Sequence, residues 1–213
     1  SMADYARAKQ NIYMNQKNDD FFIYNCEDST VSDILSDCAA QKLCYSSMNE
    51  SAIVFRNGSS VYYNENETSQ VLFDVDKISI LGDHNVKNAM TASLLVLSLL
   101  KKMDLSPDFE NLARAIYSFP GLEHRMEKIG TFHSRLFIND SKATTVGAVE
   151  TAINSLSENT ILILGGRTKG DDYNRLAEHI FNRIKGLILI GESQEEFSSV
   201  FQRFVFEKAD TLE

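Results

Sequence analysis

Phe137-Ile138-Asn139-Asp140-Ser141-Lys142-Ala143-Thr144-Thr145-Val146-Gly147 is the stretch from which the rest of the chain can be read. The apolar run 136–138 enters a dense polar cluster, and apolar residues at helical spacing, Val146, Val149, Ile153 and Leu156, leave it. That pattern predicts a strand, a polar turn and a helix. Such a turn sets unpaired main-chain N–H groups and the positive end of a helix dipole beside an acid, a base and two hydroxyls, which suits phosphates or carboxylates. The same residues also suit a plain helix N-cap, with Thr144 or Thr145 capping and Asp140 and Lys142 solvated.

Downstream of the turn the pattern alternates: strand 160–164, helix 173–183, strand 186–190 and helix 195–204, with 208–213 reading as the start of a further helix. Alternating strands and helices imply a doubly wound parallel sheet, with ligands at the carboxyl ends of the strands, where Asp140, Lys142 and the Gly165-Gly166 loop fall. Immediately upstream, 126–132 and 135–139 read as two strands about a short turn. Phe119-Pro120-Gly121 carries one of only two prolines and ends a helical pattern, so a boundary is expected there, dividing the chain into domains 1–119 and 120–213.

In the first of these, 3–16 reads as an amphipathic helix with Tyr5, Ala8, Ile12 and Tyr13 on one face and Lys9 one position past that stripe. The run 21–25 suits a buried parallel strand, followed by an acidic cap at Asp28-Ser29 and a helix over 31–39. Strands are expected at 42–45, 52–56 and 59–63, with a type I′ hairpin at Asn57-Gly58. A polar loop over 64–69 and an alternating segment over 71–81 come next. A long helix over 85–103 and a second one capped by Ser106, with Pro107 in its first turn, complete the domain.

A chain of 213 residues with 43% hydrophobic content has enough apolar material for real cores. The formal net charge of -9, from 30 acids against 21 bases, argues against broad nucleic-acid binding. Cys26, Cys38 and Cys44 show no C-x-x-C spacing, so neither a disulfide framework nor a zinc site is supported and reduced cytoplasmic thiols are expected. The longest apolar run, 94–100, is far short of a membrane span. Ser1-Met2 before Ala3 reads as a cloning remnant, which suggests a piece of a longer protein.

Three further clusters could carry chemistry. In Gly165-Gly166-Arg167-Thr168-Lys169-Gly170 the glycines admit a ligand to the backbone while Arg167 and Lys169 offer charge; an ordinary glycine turn would look the same. No Gly-Lys-Ser/Thr occurs, so a Walker phosphate loop is not encoded. In Gly82-Asp83-His84-Asn85-Val86-Lys87-Asn88 the amides of Asn85 and Asn88 lie one helical turn apart and could read a base edge, unless Asp83 or Asn85 merely caps the helix. In Gly121-Leu122-Glu123-His124-Arg125-Met126-Glu127 the Arg125 guanidinium could clamp a phosphate, or simply pair with Glu123 or Glu127.

Together these segments resemble the Mur ligases, ATP-dependent amino-acid-adding enzymes of peptidoglycan synthesis, over about residues 5–173. Asn139-Asp140-Ser141-Lys142-Ala143-Thr144 is the most specific element and points to the D-glutamate-adding members. Gly82-x-His84-Asn85-x-x-Asn88 and Gly121-Leu122-x-His124-Arg125-x-Glu127 support the wider superfamily. The resemblance implies an α/β fold of two domains, a truncated central ATPase-type α/β domain and a partial Rossmann-like doubly wound C-terminal domain. It implies ATP and magnesium as cofactors, and UDP-N-acetylmuramoyl-L-alanine and D-glutamate as substrates.

The resemblance also implies roles residue by residue. Lys9, within Tyr5-x-x-Ala8-Lys9-x-x-Ile12-Tyr13, matches a lysine whose carbamate helps hold magnesium, a modification that needs a neutral amine. Asn85 and Asn88 match residues near adenine, Arg125 one that reaches the ATP phosphates, and Asp140 one that binds the ribose hydroxyls. Lys142 matches a residue beside the nucleotide and the reacting groups, and Thr144 and Lys169 match positions that bind D-glutamate. Thr145 departs from the usual Asn, and Thr168 stands where an acidic or polar residue is commoner. The phosphate loop, the magnesium-binding His segment, the UDP-binding domain and the Ser-containing loop of the glutamate site have no counterpart here, so the chain alone is expected to be inactive. The alternatives are a non-catalytic nucleotide- or anion-binding module and a folylpolyglutamate synthase relative.

Overall fold

The apolar run Phe21–Asn25 is a strand, β1, lying parallel to β2 (Gln41–Ser46) with Tyr24 opposite Cys44. The computed structural model describes residues 2–65, 68–156, 159–167, 170–204 and 206–210. These fall into two units, Ser1–Ser79 with His84–Pro120, and Ile80–Asp83 with Gly121–Glu213.

In the first unit β2 continues in parallel to β3 (Val54–Asn57), which turns back through antiparallel β4 (Ser60–Glu65) and β5 (Thr68–Asp74). The sheet order is therefore β1-β2-β3-β4-β5. Helices α1 (Met2–Gln10) and α2 (Ser29–Asp33) precede β2, and α3 (Asp83–Lys102) and α4 (Phe109–Ser118) follow β5. Ala and Leu favour α3, and its Val86, Met90, Leu94 and Leu97 recur at i, i+4, i+8 and i+11, so one face packs on Val54, Val61, Leu72 and Phe73 of the sheet. Each such buried side chain contributes about 1.5–3 kcal/mol relative to leaving it in water.

In the second unit β6 (Glu127–Phe132) and β7 (Arg135–Asn139) form an antiparallel hairpin, and α5 (Val146–Asn154) follows β7. Then β8 (Thr160–Gly165), α6 (Tyr173–Ile180), β9 (Ile184–Ile190), α7 (Gln194–Val200) and β10 (Phe206–Ala209) alternate. The three strands make a parallel sheet of order β10-β9-β8. Its core is Leu187 and Leu189 of β9 against Val146, Ile153, Leu176, Ile180, Phe197 and Phe201 of the helices. The alternating strand–helix reading thus holds.

Several local expectations differ. The first helix ends at Gln10; of its described residues Ala6 is buried, while Tyr5 and Ala8 are exposed, and beyond it Tyr13 is buried as expected but Ile12 is exposed. The β3–β4 loop is Gly58-Ser59 with only Gly58 at positive φ (60°), whereas type I′ requires two, so Asn57 stays in the strand opposite Ser60. The expected loop at 64–69 is largely strand, with Glu65 opposite Thr68. Asp108, not Ser106, caps α4, its side chain accepting from Asn111 N. Of the segment 208–213 expected to begin a helix, Lys208 and Ala209 belong instead to β10, and 211–213 lie outside the described residues. Among the described residues β7 pairs with β6 in a two-stranded sheet separate from the parallel β10-β9-β8 sheet.

Cys26, Cys38 and Cys44 are free thiols. Burial first, and then the neighbouring Cys44 thiol, push Cys26 up to about 11, which keeps it protonated at neutral pH. No helix among the described residues is long and apolar enough to cross a membrane.

Candidate functional site

The polar turn between β7 and α5 is built as the sequence pattern requires. Thr145, in extended backbone, caps α5, its hydroxyl accepting from Ala148 N at 3.3 Å. The capping part of the plain-cap reading is therefore correct, but Asp140 is not merely solvated, since it accepts from the Met126 main chain. Within the turn Ala143 N donates to Asp140 O (2.8 Å), Thr144 N to Lys142 O (2.9 Å), and Ser141 N to the Asn139 side-chain oxygen (3.1 Å).

A second segment locks onto this turn. Met126 N donates to Asp140 Oδ1 at 3.0 Å, and Lys142 N donates to His124 O at 3.1 Å. Asn139 Nδ2 lies 2.8 Å from His124 Nδ1 and 3.5 Å from Glu127 Oε2, which also accepts from His124 N at 2.8 Å. His124 and Met126 stand at positive φ, 65° and 48°, a conformation that non-glycine residues avoid and that these bonds hold in place. Arg125 thus projects from a tightened turn against the Asp140–Lys142 segment.

Arg125, Lys142 and Thr144 are exposed, and among the described residues their side chains have no hydrogen-bond or ion-pair partner. Of the two readings of Arg125, a pair with Glu123 or Glu127 is not made among the described residues; Glu127 instead accepts from the His124 amide. Two cations and a hydroxyl near a helix N-terminus, with one carboxylate oxygen of Asp140 already fixed, make a surface suited to anionic oxygens and a diol.

The other expected residues lie elsewhere. In the first unit Asn85 and Asn88 occupy the first turns of α3, and their amides bond to each other, Asn88 Nδ2 to Asn85 Oδ1, at 3.3 Å. Lys9 stands on α1, exposed, with its ammonium 5.2 Å from the centre of the Tyr5 ring. Among the described residues no group of three or more His, Cys, Asp or Glu side chains could hold a metal ion. Thr168 and Lys169 lie outside the described residues. Arg167 is held in a double ion pair with Glu192, 2.9 and 3.0 Å, across the carboxyl ends of β8 and β9. That leaves it engaged rather than open to a ligand.

Sequence reading passed over Glu27, at the carboxyl end of β1. It accepts from Lys87 Nζ (3.0 Å), Ser46 Oγ (2.8 Å) and the Ser47 amide. Burial works against its charge, but the bonds from Lys87, Ser46 and Ser47, with the Lys87 charge, hold its carboxyl below the usual carboxylate range. The signal available was an acid directly after an apolar parallel strand.

Comparison with known proteins agrees with this layout. Residues 1–96 match the Mur ligase middle domain, and residues 124–210 match the Mur ligase glutamate ligase domain. The chain belongs to the Mur ligase family. It is 34% identical over 219 residues to the UDP-N-acetylmuramoylalanine--D-glutamate ligase of Christiangramia forsetii, covering 99% of this chain and 46% of that protein. It is 36% identical over 197 residues to the enzyme of the same name from Aquifex aeolicus, 92% of this chain and 43% of that one. The chain thus spans just under half the length of these relatives. Among solved structures, MurF from Acinetobacter baumannii superposes with a TM-score of 0.71 at 16% identity, over 98% of this chain and 47% of that one. MurF from Thermotoga maritima, solved with ADP, gives 0.65 at 13% identity, over 96% and 48%. At such identities these two show the shared fold.

Proposed function

We propose that this chain is part of an ATP-dependent, D-glutamate-adding ligase of peptidoglycan synthesis, working in the cytoplasm. Residues 1–119 would supply part of its central ATP-binding domain and 120–213 part of its amino-acid-binding domain. The observation that carries the reading is the Asn139–Thr144 turn, with Arg125 and Lys142 unpaired beside an oriented Asp140, in a chain whose relatives bear that ligase's name at 28–36% identity.

Asp140 hydrogen-bonds the ribose hydroxyls through the oxygen that Met126 does not use, and Arg125 reaches the phosphates. Asn85 and Asn88 face the adenine once their mutual bond opens. Lys142 stands by the transferring phosphoryl group, and Thr144 with Lys169 holds the D-glutamate carboxylates. The carboxylate of UDP-N-acetylmuramoyl-L-alanine takes the γ-phosphoryl group of ATP to give an acyl phosphate and ADP. The D-glutamate amine then attacks the acyl carbon, phosphate leaves with the bonding pair, and the amine proton is lost. Cationic side chains lower the barrier by meeting the charge on the transferring group. Magnesium, when bound, would supply further charge neutralisation.

Folylpolyglutamate synthases share the fold, one superposing with a TM-score of 0.67 at 13% identity, but Asp140-Ser141-Lys142 favours the D-glutamate reaction. The test is phosphate release by the full-length protein from the same source. Release should need ATP, UDP-N-acetylmuramoyl-L-alanine and D-glutamate together, and turnover with L-lysine or diaminopimelate in place of D-glutamate would overturn the assignment.

A further inference from the structure

The hydrogen bonds around Asn139 fix where the proton of a neighbouring imidazole sits. Asn139 Oδ1 accepts from Ser141 N at 3.1 Å, which identifies that end of the amide as the oxygen. The other end, Nδ2, carries two hydrogens and no accepting lone pair, and it lies 2.8 Å from His124 Nδ1 and 3.5 Å from Glu127 Oε2. Turning the amide over would face its NH2 toward the Ser141 N–H and its oxygen toward the Glu127 carboxylate, so the network admits one orientation. His124 Nδ1 must then be the acceptor, and in the neutral ring the hydrogen is on Nε2, on a side chain that is 50% exposed.

The same residue is fixed through its main chain. His124 N donates to Glu127 Oε2 and His124 O accepts from Lys142 N, although its φ of 65° is costly for a residue other than glycine. Two residues on, Met126 repeats the left-handed conformation and donates to Asp140. Without the ring-to-Asn139 bond, the side chain at 124 would not fasten this strained segment to the end of β7.

We infer that His124 is a positioning residue of the ligand-binding turn: its imidazole, accepting at Nδ1 from Asn139 and carrying its hydrogen on Nε2, holds the 124–126 segment against Asp140 and Lys142. It thereby sets where Arg125 and Lys142 emerge and leaves Nε2–H as a donor, suited to an anionic oxygen rather than to a cation. The importance of the turn rests on the ligase reading above, but the tautomer and the fastening do not.

The experiment uses this chain, 15N-labelled and free of ligand, so its outcome is independent of whether the turn binds nucleotide. Long-range 1H–15N spectra at pH 8 should show His124 with an unprotonated Nδ1. Asn139→Asp replaces the donor by a carboxylate while keeping the acceptor for Ser141, and it should reverse the tautomer to Nδ1–H. In His124→Phe, amide hydrogen exchange at Met126 and Lys142 should quicken at least about threefold, with Leu187 and Leu189 of β9 unchanged as evidence of an intact fold. An Nδ1–H ring in the unmodified chain, no reversal in Asn139→Asp, or unaltered exchange at Met126 and Lys142 in a folded His124→Phe would each overturn the inference.

Discussion

The main-chain N–H of Met126 donates to Oδ1 of Asp140 at 3.0 Å, so one oxygen of this carboxylate is committed to the fold before any ligand arrives. Met126 is 5% exposed, so its amide lies in a buried residue. Asp140→Ala should therefore destabilise the chain by about 1–3 kcal/mol, the cost of stranding a buried donor. Asp140→Asn keeps an oxygen for Met126 and should cost less than about 1 kcal/mol. Urea unfolding of the two variants compares them directly, and equal losses would show that the Met126 bond contributes nothing.

Glu150 and Arg175 join α5 to α6 by two bonds of 3.0 and 2.7 Å, with the Glu150 side chain 11% exposed and that of Arg175 68% exposed. Removing the cation leaves a largely buried carboxylate without its partner. Arg175→Met should cost about 1–3 kcal/mol, and adding Glu150→Gln should restore part of it, because the stranded charge is then gone. A double-mutant cycle in urea gives the coupling, and strictly additive losses would contradict it.

Glu27 has its carboxyl held low by Lys87, Ser46 and Ser47 against the opposing effect of burial. A depressed folded pKa contributes stability that is complete above the unfolded value, about 4.3, and is lost as pH falls through the lower folded value. Glu27→Gln should thus be destabilising near pH 7 and should shrink the fall in stability below about pH 4.3. Parallel melting curves of the variant and the parent across acid pH, with no change in their separation, would show that Glu27 is not a source of the acid sensitivity.

At Gly165 an added Cβ would stand 2.4 Å from Ile190 Cγ1 and 2.7 Å from the Ile190 carbonyl oxygen, and that backbone atom belongs to the neighbouring strand. Gly165→Ala should cost about 1–3 kcal/mol through overpacking. Gly166 has open space, but its φ is 114°, so Gly166→Ala should cost about 1 kcal/mol from backbone strain alone. Chemical denaturation midpoints should rank parent, Gly166→Ala, Gly165→Ala in falling order.

Much of the second unit was legible because its strands are short apolar runs and its helices carry strong stripes. The run 160–164 reads as strand and 173–183 as helix, and β8 and α6 fall there, with Leu176 and Ile180 buried in the core. Short helices read less well. In α1 the buried residue is Ala6 beside the expected Tyr5, and Tyr13, expected on the helix face, is buried beyond the helix end. Polar runs misled in the other direction: within the expected loop, Asn64, Glu65, Thr68 and Ser69 are strand because β4 and β5 continue to pair past their apolar residues. The site was legible as residue types, Asp140, Lys142, Thr144 and Arg125, but not as bonds. Glu127 reads as a partner for Arg125 by proximity in sequence, yet the left-handed turn at His124 brings the His124 amide to it instead.

The sequence by itself determined the strand–turn–helix at 137–147, the cap by Thr145 or its neighbour, and the alternating strand and helix order that follows, since these depend on periodicity and on side chains acting within a few residues. Only the tertiary structure decided that Asp140 is oriented by Met126, that Arg125 and Lys142 are left without partners while Arg167 is held by Glu192, and that Asn139 governs the His124 ring. Each of those is a choice among several donors and acceptors of suitable type. The choice is made by distances across β6, β7 and the turn, and for Arg167 across the ends of β8 and β9, that no local pattern encodes.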